Sequence, residues 1–143
     1  MTIERTATAT HATGNGRKYF TLDEANQALP YVSRVIEDIT TCYQQAVHIR
    51  QQIEQPGVDD DVETLKQQYE GSMDRLNELV DELQHVSVEL KDFDRGLVDF
   101  PAIHEGREIY LCWHRGEPAV HAWHELDAGY AGRQDVAVLN RRG

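Results

Sequence analysis

Two apolar runs, stepped by threes and fours and separated by one break, limit what this chain can fold into. The first is Leu22, Ala25, Leu29, Val32, Ile36, Ile39, Tyr43, Ala46, Arg50 and Ile53. Steps of this kind keep one helix face turned toward a partner helix. Thr21 followed by Glu24 has the spacing of a capping box, which starts such a helix. Pro30 interrupts the pattern and is expected to end a short first helix or kink it, serving as first residue of a longer segment. Gln55 to Asp61, QPGVDDD, reads as a turn, with its aspartates placed where a helix N-terminus welcomes negative charge. A second seam follows at Val62, Leu65, Tyr69, Ser72, Leu76, Leu79, Leu83 and Val86. Two seams joined by a short turn describe a coiled-coil-like antiparallel hairpin, whose 30-residue arm would be about 45 Å long.

The first helix carries more apolar surface than one partner helix covers. Ala28, Val35, Cys42 and Ile49 form a second row, with Met73 and Val80 matching them on the second helix. A wide stripe suits a bundle or a packed sheet. The expectation is that the C-terminal part folds onto the hairpin and that two hairpins pair into a homodimer. The plainer reading leaves such small residues at the surface.

From His85 the period changes. Val86, Val88 and Leu90 alternate as in a strand, although the helical seam also extends to Leu90. Then LVDFPA (Leu97 to Ala102), REIYLCWHR (Arg107 to Arg115) and AVHAWHE (Ala119 to Glu125) are separated by turn residues around Gly96, Gly106 and Gly116. The fold class is therefore α+β: a long antiparallel helical hairpin followed by a small antiparallel sheet of three or four strands. The expected division is a disordered tail over 1–16, one domain over 17–137 (hairpin 21–86, sheet and loop 87–137) and a frayed end over 138–143.

Charge sharpens this division. The chain of 143 residues has a formal net charge of −11. Residues 21–90 hold 15 acids and 4 bases, whereas residues 91–143 hold 9 and 7. The hairpin is thus an acidic, solvated object, which argues against binding a phosphate backbone. No apolar run is long enough for a membrane span or a secretory signal, so neither nucleic acid nor membrane is an expected partner. With two cysteines and no disulfide framework, the expected compartment is the cytoplasm.

Reactive side chains crowd between positions 92 and 133. A turn over Arg115 to Pro118 that pairs His114 with Ala119 sets Cys112 opposite His121 and Tyr110 opposite Trp123. On that assumed register Tyr110, Cys112, His114, His121 and Trp123 share one face. Cys112, His114 and His121 then offer a thiolate and two imidazoles, a set suited to zinc or another divalent metal. The bland alternative is a buried thiol flanked by solvent-side histidines. His124 falls on the opposite face among Ile109, Leu111 and Trp113, where it needs a polar partner. Asp99 and Glu117 are the candidates, and a carboxylate orienting a histidine makes a general base near neutral pH or simply a structural hydrogen bond. Arg95 and Arg133 flank the segment and are suited to an anion, or to surface pairing with neighbouring aspartates. No Walker loop, GxSxG or HExxH is present.

Four motifs in order carry a resemblance: KYFTLDEANQALPYV (Lys18 to Val32), DRGLVDFPA (Asp94 to Ala102), YLCWHRGEP (Tyr110 to Pro118) and WHELDAGYAGR (Trp123 to Arg133). Together they resemble the bacterial domain-of-unknown-function family numbered 2203, over Lys18 to Arg133. The resemblance implies no activity. It does imply that Arg95, Asp99, Glu117, Trp123, His124 and Arg133 belong together, and that His114 and His121 are not fixed parts of the pattern.

Three functions fit these residues. The first is a binding module whose sheet-borne pocket takes a metal ion or small anionic ligand. The second is an adaptor acting through the acidic hairpin. The third is a small enzyme with His124 as base, Asp99 or Glu117 as orienter, and Arg95 or Arg133 holding substrate.

Overall fold

In the computed structural model, residues 18–141 are described. The expected disordered tail lies outside these residues, as do the last two residues of the expected frayed end. Helix α1 (Leu22–Glu54) opens on the expected capping box: the Glu24 amide donates to the Thr21 hydroxyl at 3.1 Å, and the Thr21 amide donates to the Glu24 carboxylate at 2.9 Å. Helix α2 (Val62–His85) is capped by Asp61, and the Pro56–Gly57 turn joins the two.

Pro30 neither ends α1 nor splits it; the helix runs through it. An interior proline costs about 3 kcal/mol. Its neighbours Leu29 and Val32 are both buried in the main core, and burying each yields about 1.5–3 kcal/mol, enough to hold the helix across the break.

α2 stops at His85 through a left-handed residue, Ser87 at φ +64°, while the Val88 amide donates to the Leu83 carbonyl at 3.0 Å. The chain then forms β1 (Glu89–Asp92), β2 (Leu97–His104), β3 (Arg107–His114), β4 (Ala122–His124) and β5 (Gln134–Asp135). All neighbours are antiparallel and consecutive, so the sheet is a meander. It has five strands, the fifth a two-residue pairing on β4. Val136–Arg141 forms a 3₁₀ helix, with Val136 and Leu139 packed on the core.

One sheet face meets the hairpin. Val98, Phe100, Leu111, Trp113 and Trp123 join Val32, Ile36, Ile39, Leu79 and Leu83 in a single core. Val35 and Cys42, from the second row of α1, are buried within this one chain, the Cys42 thiol donating to the Ser72 carbonyl at 3.2 Å. The wide stripe is therefore covered there by α2 and the sheet without a second copy. Gly96 lies hard against α1: at φ +64°, a Cβ would sit 2.7 Å from the Ile36 side chain, so only glycine fits. At the other end the Phe20 amide donates to the Pro101 carbonyl at 2.7 Å. No helix among the described residues is long and apolar enough to cross a membrane.

Candidate functional site

The outer sheet face is where the chemistry collects. The pairings Asp99↔Cys112↔Ala122 and Pro101↔Tyr110↔His124 put Asp99, Cys112, Tyr110 and His124 on this face. The register between β3 and β4 is one residue away from the expected one. That slip moves His124 from the core face to the outer face, and Trp123 from the outer face into the core. The cause is a remote helix residue. Asn26 accepts from the Val120 amide at 2.8 Å and donates to the Val120 carbonyl at 3.1 Å. Val120 is thereby taken out of the ladder, and β4 begins only at Ala122.

Asp99 and His124 are each 2% exposed and Cys112 0%. His124 Nε2 lies 3.0 Å from Asp99 Oδ1, and Nδ1 lies 2.7 Å from the Glu125 carbonyl oxygen. Both neighbours are acceptors, so with Asp99 ionised both ring nitrogens donate and the ring is an imidazolium. Burial works against that charge. The hydrogen bonds to Asp99, Cys112 and the Glu125 carbonyl, together with the Asp99 charge, outweigh it and raise the pKa to about 10. A histidine already protonated at neutral pH is not the general base expected of the enzyme reading. Nor is this a nucleophile relay: Asp99 sits on the nitrogen that would have to serve the thiol, the other nitrogen is taken by a backbone carbonyl, and Cys112 is sealed from solvent.

One donor atom from each of Asp99, Cys112 and His124 lies within 4.8 Å of the other two. In a tetrahedral zinc site with bonds near 2.0–2.3 Å, donor atoms stand about 3.3–3.6 Å apart, so small side-chain movements complete the fit. The chemistry fits as well. The Glu125 carbonyl fixes the hydrogen on Nδ1 and leaves Nε2 for the cation, the arrangement seen around histidine ligands generally.

The expected set Cys112, His114 and His121 does not assemble. His114 and His121 lie beside Glu117 instead, with ring nitrogens 3.7 and 3.2 Å from its carboxylate, and His121 is exposed. Glu117 likewise does not reach His124. Its carboxylate accepts from Arg133 at 2.7 Å and from the His114 amide at 2.9 Å. Burial alone would raise the Glu117 pKa, but Arg133 and the His114 amide hold it below the ordinary value. Asp99, Glu117 and His124 therefore do not share one cavity.

The two clusters touch through the loop after β4. Arg133 donates to the Cys112 carbonyl at 3.3 Å, and its guanidinium lies 5.1 Å from the centre of the Tyr130 ring. Arg95 lies 4.8 Å from the same ring centre, so Arg95 and Arg133 both grip an aromatic side chain. Tyr130 in turn walls a cavity of about 250 Å³ lined also by Lys91, Asp99, Tyr110, His124 and Leu126. The Tyr110 hydroxyl donates to Glu89 at 3.0 Å, and the Lys91 ammonium lies 2.9 Å from the same carboxylate. Of the six family-implied residues, Asp99 and His124 line the cavity, Arg95 and Arg133 hold its Tyr130 wall, Glu117 anchors Arg133, and Trp123 belongs to the core.

Sequence reasoning passed over Tyr110 as a cavity wall, Tyr130, Glu89 and Lys91. Tyr110 was visible on the Cys112 face by alternation alone. Tyr130 sits within the GYAG segment, where nothing in the spacing shows that the loop folds back over the sheet.

A family model described as "Uncharacterized conserved protein (DUF2203)" matches residues 18–136, and the chain belongs to that family. No curated protein and no solved structure matches it.

Proposed function

We propose that this member of the family is a metal-binding module, in which Asp99, Cys112 and His124 hold one divalent cation on the outer sheet face. The observation that carries the reading is the closeness of a carboxylate, a thiol and an imidazole, all buried, with the imidazole already oriented by the Glu125 carbonyl. A thiol and an imidazole favour a borderline-soft ion such as zinc over magnesium or calcium. In the absence of the ion, a proton on Nε2 bridges His124 to Asp99, and the ion takes the place of that proton. Thiol, imidazole and carboxylate together supply two negative charges once Cys112 is deprotonated, which balances a divalent ion without leaving buried charge.

Elemental analysis of untagged protein tests this directly. One zinc per chain is expected, reduced to background in both Cys112→Ser and His124→Asn. Protein free of metal, with a melting temperature that added zinc leaves unchanged, would overturn the reading. A buried ion pair that serves only stability would then be the remaining role of Asp99 and His124.

A further inference from the structure

Resting on the metal-binding reading, we infer that the cation's fourth coordination position opens into the Tyr110–Tyr130 cavity and takes a small monocarboxylate with an apolar body. The chain offers three donors, and zinc with three protein ligands keeps its fourth place for water or an exogenous ligand. Asp99 and His124, two of the three, are themselves walls of the cavity, so a molecule inside it is adjacent to the ion.

Size, charge and surface select the ligand. About 250 Å³ falls below the range of drug-sized pockets, which excludes nucleotides and peptides. Beyond the donors, the lining among the described residues is two tyrosine rings with Leu97, Leu126 and Gly129, and one ammonium, Lys91. The divalent ion is the main anchor for an anion, and Lys91, already paired with Glu89, adds one ammonium beside it, which suits a monoanion; a phosphate would need several converging donors. The Tyr110 hydroxyl is engaged by Glu89, so that wall presents mainly ring surface. Burial alone would lower the Lys91 pKa, but the Glu89 hydrogen bond, followed by the Glu89 charge, keeps it raised.

The test uses the full chain loaded with Co²⁺, whose visible spectrum reports thiolate ligation and coordination change separately. Phenylacetate is expected to shift the d–d bands with at least ten-fold tighter half-saturation than acetate, and inorganic phosphate to shift them weakly or not at all. Leu126→Trp fills the cavity from a half-exposed position. It is expected to retain the thiolate-to-Co²⁺ band while weakening phenylacetate at least ten-fold. Lys91→Met should weaken acetate and phenylacetate alike. A Co²⁺ form with the thiolate band whose d–d bands no carboxylate moves would overturn this inference and leave the metal site standing. Equal responses to acetate, phenylacetate and phosphate, or no effect of Leu126→Trp, would overturn it too. Absence of the thiolate band would overturn both readings.

Discussion

On α1 between Leu22 and Tyr43, and on α2 between Met73 and Leu83, the three-four repeat packs into the main core with the sheet behind it. Between Gln44 and Ser72 the same repeat continues, yet only Ala46 and Leu65 are buried. Periodicity therefore specifies the helices in both regions, while burial, and with it most of the stabilisation, depends on a second layer. The polar groups divide the same way. Beside the core lies a buried carboxylate–imidazole pair; on the arm, Arg50 and Glu54 face solvent with side chains 67% and 61% exposed.

The sharpest way to break this contrast is to remove one partner from each pair. Asp99→Asn in metal-free protein should cost about 3–5 kcal/mol, because it strands a buried imidazolium. Glu54→Gln should change the unfolding free energy by no more than about a few tenths of a kcal/mol. Equilibrium urea unfolding of both variants measures the difference, and comparable losses would refute the two-region description.

Glycines extend the comparison with opposite signs. Gly96→Ala combines a left-handed backbone with overlap on Ile36 and Arg115, and should destabilise by about 3 kcal/mol. Gly71, on the arm side of α2, has no neighbour within 4 Å of an added Cβ. Gly71→Ala should therefore stabilise by roughly 0.5–1 kcal/mol, seen as a raised melting temperature.

At the sheet end, stability depends on pH through His124. The His124 pKa is raised from its ordinary value to about 10 in the folded chain. Its stabilising contribution is fully present below about pH 6.5 and is lost as pH climbs toward 10. Thermal melts of metal-free protein across that interval should fall, with the fall reduced in His124→Asn. On the metal-binding proposal zinc should reverse the trend, since ligation needs the neutral ring and the thiolate, so zinc affinity should rise with pH over the same interval. The smallest effect is local: amides of the arm should exchange with deuterium on the order of ten-fold faster than those between Val32 and Cys42.

These outcomes also show where sequence reading reaches its limit. The capping box, both seams, the turn at Gln55 to Asp61 and the change of period after His85 are local patterns, and the structure has them all. The outer-face cluster is not local. Its membership depends on whether Trp123 or His124 faces the core, and that is decided by Asn26 clasping the backbone of Val120, a contact across 94 positions. Pro30 misled for a related reason: its local cost is outweighed by the burial of Leu29 and Val32, which only the sheet and α2 supply. Asp99 as partner of His124 was readable from residue type, because a lone acid inside an apolar strand needs a counterpart. Glu117 looked equally suitable, and only the path of the Arg133 loop separates them.

The meander order of the strands bears on how the protein matures during synthesis. Each strand pairs with the one just before it, and the hairpin precedes them all. A nascent chain released through His114 would hold both helices, β1 to β3 and two of the three donor residues. His124 arrives on β4, and the Tyr130 and Arg133 cover follows it. The donor set of the proposed cation site is thus completed only after both helices and β1 to β3, and a product truncated before residue 124 would lack it.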